Sequence, residues 1–129
     1  MSYDKIPAPD INPESKPFWD AAAEGKFLLR RCPACGEAHF WPRTICPLCH
    51  KADTEWEESP GEGTIYTWTV MRKSPRGPFA LAYLELDEGP RVYVQFRPED
   101  NDDLAIGKRA KIMFHPVQDD KPMMFAKLI

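Results

Sequence analysis

The residues best suited to chemistry sit in one stretch, 32-CPACGEAHFWPRTICPLCH-50, which holds all four cysteines of the 129-residue chain. They form two Cys-Pro-x-Cys knuckles with ten residues between them. Two residues between cysteines let one tight turn aim both sulfurs at a common point. Two such turns complete a tetrahedron about 2.3 Å from a zinc ion. Cys32, Cys35, Cys46 and Cys49 are therefore the expected ligands of one structural zinc. Gly36 follows the first knuckle, where a positive φ lets backbone amides turn towards the sulfurs. His50 takes that place in the second knuckle, but four thiolates already fill the shell, so His50 is not expected to bind. His39, in the loop between knuckles, is expected at the surface.

Two other thiol chemistries fit less well. A redox pair of the thioredoxin kind would be a lone Cys-x-x-Cys beside a βαβ pattern, and neither condition holds. CPLC also resembles a rubredoxin knuckle, but ten residues between knuckles is a far shorter separation than the rubredoxin arrangement and suits a compact zinc ribbon. A shell of four thiolates leaves no open position for substrate, so metal catalysis is not expected. Zinc binding worth about 10–16 kcal/mol would replace the core that so short a segment lacks.

Other candidate catalytic groups are isolated. His115 in KIMFHPV stands near a strand end without an identified partner, and Glu85, Asp87 and Glu88 in LELDEGP read as a solvated strand edge. Basic side chains offer better material. Arg72, Lys73 and Arg76 make 71-MRKSPRGP-78 a basic loop without an acid, in a chain of formal charge −3. Guanidinium forks match phosphate groups bidentately, so this loop is a candidate contact for the phosphates of coenzyme A. Arg30 and Arg31, just before the ribbon, are second candidates, and Arg91 is a third.

Several elements must position these groups. Prolines 7, 9, 13 and 17 make residues 1–17 an extended arm. The stretch 15-SKPFWDAAAEGKFLLRRC-32 predicts a short helix with Ser15 as cap, Pro17 in the first turn and Gly25 at the end. Phe18, Trp19 and Ala22 would share one face, with Phe27, Leu28 and Leu29 leading into the first knuckle. From Thr64 onward, TIYTWTVMRK, FALAYLELDE, RVYVQFR, KRAKIMFHPV and MMFAKLI are five runs of strand-forming residues. Residues 98–107 interrupt the series after the third run. That is the layout of a five-stranded OB-fold barrel, which an open meander would share at this level. The expected division is 1–31 arm and helix, 32–53 zinc ribbon and 54–129 OB-fold domain, in a mainly β protein.

Composition narrows the functional classes. The acidic balance argues against binding duplex nucleic acid mainly through phosphate contacts. No apolar run approaches the roughly 20 residues of a membrane span. The polar, proline-rich N-terminus has no apolar signal core, which predicts a cytosolic location where cysteines serve as metal ligands. A single-stranded nucleic-acid module remains the rival class, with Tyr66, Trp68 and Tyr93 available to stack bases if exposed. The arm, helix and ribbon also carry more apolar residues than a ribbon can bury. Phe18, Trp19, Phe27, Leu28, Leu29, Phe40, Trp41 and Ile45 must therefore pack on the barrel or on another protein.

Together, FWDAAAEGKFLLRRC, the two knuckles, GEGTIYTWTV and LDEGPRVYVQF resemble an OB-fold family long labelled as of unknown function. Its members carry an N-terminal helix and a rubredoxin-like zinc ribbon. The resemblance covers nearly the whole chain in the right order, and the four cysteines match. His50 departs from the glycine of many relatives. The resemblance implies an accessory subunit working beside a thiolase-fold enzyme or a hot-dog-fold enoyl-CoA hydratase. It further implies acyl-CoA binding, including in steroid side-chain degradation, and carries no catalytic motif to transfer.

Overall fold

The computed structural model describes residues 6–75 and 77–129. One helix, α1 (Lys16–Ala23), precedes eight strands: β1 (Phe27–Arg31), β2 (Ala38–His39), β3 (Glu55–Ser59), β4 (Glu62–Met71), β5 (Phe79–Leu86), β6 (Arg91–Phe96), β7 (Arg109–Pro116) and β8 (Pro122–Leu128). The five expected runs are β4 to β8, and they close into a barrel in the order β4-β5-β6-β8-β7. The β6–β8 pair is parallel and the others are antiparallel. This is the OB-fold barrel expected from the sequence.

Three further strands were not legible as such. Phe27–Leu29 does more than lead into the knuckle: β1 pairs antiparallel with β2 and with β3 to make a separate sheet around the cysteines. The pairing of β3, EWEES, is with the ribbon strand β1 and not with the barrel. A run so acidic has little strand propensity of its own, and the pairing comes from β1 lying beside it.

The helix begins differently from expectation. Ser15 occupies the N-cap position, yet its side chain makes no capping bond. Its hydroxyl turns back to Asn12, accepting from the Asn12 N–H, while the Ser15 N–H donates to Asn12 Oδ1 at 2.8 Å. The exit follows the expected pattern. Gly25 adopts φ +78°, the Gly25 N–H donates to the Ala22 carbonyl, and the Lys26 N–H reaches the Ala21 carbonyl at 2.9 Å. These two bonds satisfy carbonyls that the helix end leaves open.

The apolar surplus is resolved within the chain. Phe18 is fully buried, and Trp19, Ala22, Phe27 and Leu29 are buried with it. The Phe18 ring lies 4.9–6.0 Å from the rings of Trp19, Phe27, Phe40, Trp41 and Phe114. Those rings come from helix, ribbon and barrel, so one hydrophobic core spans all three. Phe18 and Trp19 are therefore core residues and not free anchors for a partner. Ile45 stays outside, as does Leu48 in the second knuckle.

Two glycines set how ribbon and barrel meet. At Gly61 (φ +71°) an added Cβ would sit 3.0 Å from Ile112 Cβ, against the barrel. At Gly63 it would fall 2.4 Å from the Glu85 carbonyl oxygen, so only glycine lets β4 cross β5 this closely. Just beyond, the ladder shifts register between Ile65 and Thr67, which places Tyr66 at a bulge.

Candidate metal centre and outer barrel face

The two knuckles fold as copies of one turn. In the first, the Gly36 N–H donates to the Cys32 carbonyl at 2.7 Å and the Cys32 N–H to the Glu37 carbonyl at 3.0 Å. In the second, the His50 N–H donates to Cys46 at 2.8 Å and the Cys46 N–H to Lys51 at 2.9 Å. Gly36 and His50 hold the matching left-handed positions, φ +78° and +67°. His50 thus serves by backbone geometry and lies outside the thiolate cluster.

The four sulfurs all lie within 4.8 Å of one another. Cys32 Sγ is 3.5 Å from Cys49 Sγ, and Cys35 Sγ is 3.8 Å from Cys46 Sγ. Sulfurs 2.3 Å from a central ion in a tetrahedron are about 3.8 Å apart, so the donor set fits a four-thiolate metal site. Cys32 and Cys46 are buried, while Cys35 reaches the surface. Burial raises the Cys46 thiol, but backbone N–H groups of Cys49 and Leu48 and the Cys49 and Cys35 sulfurs outweigh it, bringing the value down to about 7. At Cys49 the Lys51 N–H pulls down, yet the Cys32 sulfur, burial and the other sulfurs push it up to about 12. Without a metal the cluster thus keeps protons that an ion would displace.

The ribbon basic residues are spent on this architecture. Arg31 forms an ion pair with Glu57 of β3, while its Nη1 donates to the Gly36 carbonyl at 2.8 Å, tying the first knuckle to the sheet. Arg30 stacks 4.2 Å over the Trp56 ring and donates to the Thr54 carbonyl. Arg72 and Lys73 are exposed in the turn after β4, and Arg76 lies outside the described residues. Arg91 lies 3.9 Å over the Tyr66 ring and pairs with Glu85 at 3.0 Å.

His39 departs from its expected surface position. It is buried at 5% exposure, with Nε2 against the backbone of Arg43. Desolvation, opposed only in part by the Arg43 backbone bond, holds its pKa below the usual histidine value, so the ring is neutral near pH 7. His115 is exposed, with Nδ1 2.8 Å from the Pro116 carbonyl oxygen. The three acidic residues of LELDEGP turn to separate partners. Glu85 takes Arg91, Asp87 takes Arg109 through two bonds of 2.7 and 2.8 Å, and Glu88 accepts from Ser59. They form no catalytic carboxylate pair.

The outer face of β4–β6 carries aromatics. Tyr66, Tyr83 and Tyr93 are each 44–55% exposed, and Trp68 is 37% exposed. Tyr83 and Tyr93 are cross-strand partners with ring centroids 5.3 Å apart. Tyr66 and Trp68 do not share a face with Val70 as one uninterrupted strand, because the bulge at Tyr66 breaks the alternation. Tyr83 was not singled out in the sequence, although Leu81, Tyr83 and Glu85 alternate with buried Ala82, Leu84 and Leu86.

Known proteins share this layout. Residues 19–55 match the rubredoxin-like zinc ribbon domain of ChsH2, and residues 56–115 match the ChsH2 C-terminal OB-fold domain. A DUF35 domain-containing scaffold protein of Methanocaldococcus jannaschii is 34% identical over 97 residues, covering 70% of this chain and 68% of that protein. A probable enoyl-CoA hydratase alpha subunit of Thermomonospora curvata is 30% identical over 105 residues, 78% of this chain but 33% of the relative. Among solved structures, a chain of the Ltp2-ChsH2(DUF35) aldolase superposes with TM-score 0.79 at 24% identity, covering 93% of this chain and 98% of its own. A Sulfolobus solfataricus protein from the DUF35 family gives 0.63 at 18% identity, covering 78% of each chain. With its four-cysteine ribbon, its closed five-stranded barrel and these matches, the chain belongs to the ChsH2/DUF35 family of zinc-ribbon and OB-fold proteins.

Proposed function

We propose that this protein is a non-catalytic accessory or scaffold subunit that docks on a thiolase-like or enoyl-CoA hydratase partner and contacts acyl-CoA. The observation that carries the reading is the outer barrel face, where Tyr66, Tyr83 and Tyr93 are exposed. Aromatic side chains are the commonest anchors of protein interfaces. Beside them lies the hairpin turn with Arg72 and Lys73, suited to coenzyme A phosphates together with Arg76. Candidate acids and bases among the described residues are engaged at separate places, which supports an accessory role. Arg30 and Arg31 are weaker candidates for coenzyme A because their guanidinium groups are held by Trp56, Thr54, Glu57 and Gly36. The cysteine cluster would hold one structural Zn2+, with Cys32, Cys35, Cys46 and Cys49 as its ligands, as befits a reducing, cytoplasmic setting.

Co-purification from the native cell, with identification of the companions, tests the partner. An acyl-CoA-processing enzyme is expected, and Tyr83→Ser with Tyr93→Ser should release it while leaving the thermal midpoint unchanged. Replacing Arg72, Lys73 and Arg76 by alanine should weaken acyl-CoA binding and its salt dependence. A protein that works in its pathway as a monomer without any companion would refute the scaffold reading. The exposed tyrosines also favour a second reading, stacking of single-stranded nucleic acid. Filter binding with single-stranded RNA and DNA at low salt separates the two, and the net charge of −3 weighs against it.

A further inference from the structure

A cleft of about 490 Å³ opens between the arm and the barrel. Residues 7–10 of the arm form one side, Trp19 and Trp41 the end, and Leu81, Tyr93, Met123 and Met124 the floor. Its size falls in the range of about 300–1,000 Å³ usual for small-molecule sites. The walls are mainly apolar, and one polar atom among them stands out. Trp19 Nε1 is buried with no hydrogen-bond partner. An indole N–H is a donor only, and buried ones normally find an acceptor. This donor is already out of water, so an acceptor brought by a ligand gains its bond without further desolvation on the protein side.

Leu81 and Tyr93 also line a second, smaller hollow of about 140 Å³ with Thr69 and Tyr83, on the outer face of β4–β6. The two hollows thus adjoin, and the outer face runs on to the hairpin of Arg72 and Lys73. We infer that the cleft under the arm holds the acyl chain of a thioester, with Trp19 Nε1 donating to its carbonyl oxygen. This deepens the acyl-CoA reading above and rests on it for the nucleotide end alone. The unbranched side chains of Met123 and Met124 and the coil of the arm give the site room to fit different chains.

Calorimetry on the full-length, zinc-loaded protein tests the site, using free coenzyme A, acetyl-CoA, octanoyl-CoA and octanoyl-N-acetylcysteamine, which lacks the nucleotide. Affinity should rise at least tenfold from acetyl-CoA to octanoyl-CoA, since each buried methylene is worth roughly a factor of three or four. Trp19→Phe keeps the ring and removes the donor, and should weaken octanoyl-CoA about three- to tenfold without affecting free coenzyme A. Ala8→Trp fills the cleft from the arm side and should weaken the octanoyl ligands in the same selective way. Acyl-CoA binding that ignores chain length, or that neither variant changes, overturns the cleft and spares the nucleotide reading. Octanoyl-N-acetylcysteamine binding without any binding of free coenzyme A supports the cleft and removes the nucleotide reading. Binding of neither overturns both.

Discussion

His50 carries a cost that its sequence neighbour Gly36 avoids. A non-glycine residue in the left-handed region is disfavoured by about 1–2 kcal/mol, and His50 sits there at φ +67° because the second knuckle needs that turn. His50→Gly should raise the stability of the zinc-loaded protein by about 1 kcal/mol, less the added chain entropy of glycine. Thermal unfolding checks this, and a lowered midpoint with zinc lost would mean that the ring has a role of its own. The cysteines and this substitution could be read directly, because a spacing rule links sulfur positions to metal geometry. The burial of His39 could not, since it depends on the backbone of Arg43 folding over the ring. Asp87 shows a similar limit. Its pairing with Arg109 joins residues 22 apart in sequence, and it holds the carboxyl below its usual value through the guanidinium bonds. A depressed carboxylate stabilises the fold above its unfolded pKa, near pH 4, and that contribution is lost as pH falls through the folded value. Arg109→Gln should therefore move the Asp87 titration, followed by NMR, up towards the ordinary value.

Among the elements, β4 shows most clearly how a strand can be recognised while its path remains hidden. Alternation and β-branched residues located it to within two residues, yet the bulge at Tyr66 depends on how closely it must cross β5. Gly63 permits that crossing. Gly63→Ala would force its methyl against the Glu85 carbonyl, and overpacking of this kind costs about 1–3 kcal/mol. A drop in the urea midpoint of that size, with the zinc content unchanged, is the expected result. The short helix is the opposite case: Phe18, Trp19 and Ala22 defined its buried face, but the sequence left open what that face would meet. Contact with Phe114 of β7 answers this. Phe18→Ala should cost about 3–5 kcal/mol, as for other buried aromatic side chains, which calorimetric unfolding would detect.

For the molecule as a whole, the shared core changes what metal loss should do. A ribbon with an isolated core would unfold on chelation and leave the barrel standing, as its small size alone suggests. Here Phe27, Leu29 and Ala38 of the ribbon sheet share one cluster with Ile65, Ile112 and Ala126 of the barrel. Removing the metal, or changing any one of the four cysteines to serine, should therefore lower the unfolding midpoint of the barrel as well. Near-ultraviolet circular dichroism of the chelated protein reads this out. A barrel midpoint indifferent to chelation would show that the two parts are energetically separate.

Only Pro60 and Gly61 separate β3 of the ribbon from β4 of the barrel, and Gly61 is pressed against Ile112. A joint so short and so tightly packed behaves as a weld and not as a hinge. The second knuckle and the hairpin of Arg72 and Lys73 are thus carried like two jaws of a fixed caliper. The entropy of setting their spacing is spent when the chain folds, before any companion arrives. Anything that engages both ends must match that gauge or engage only one.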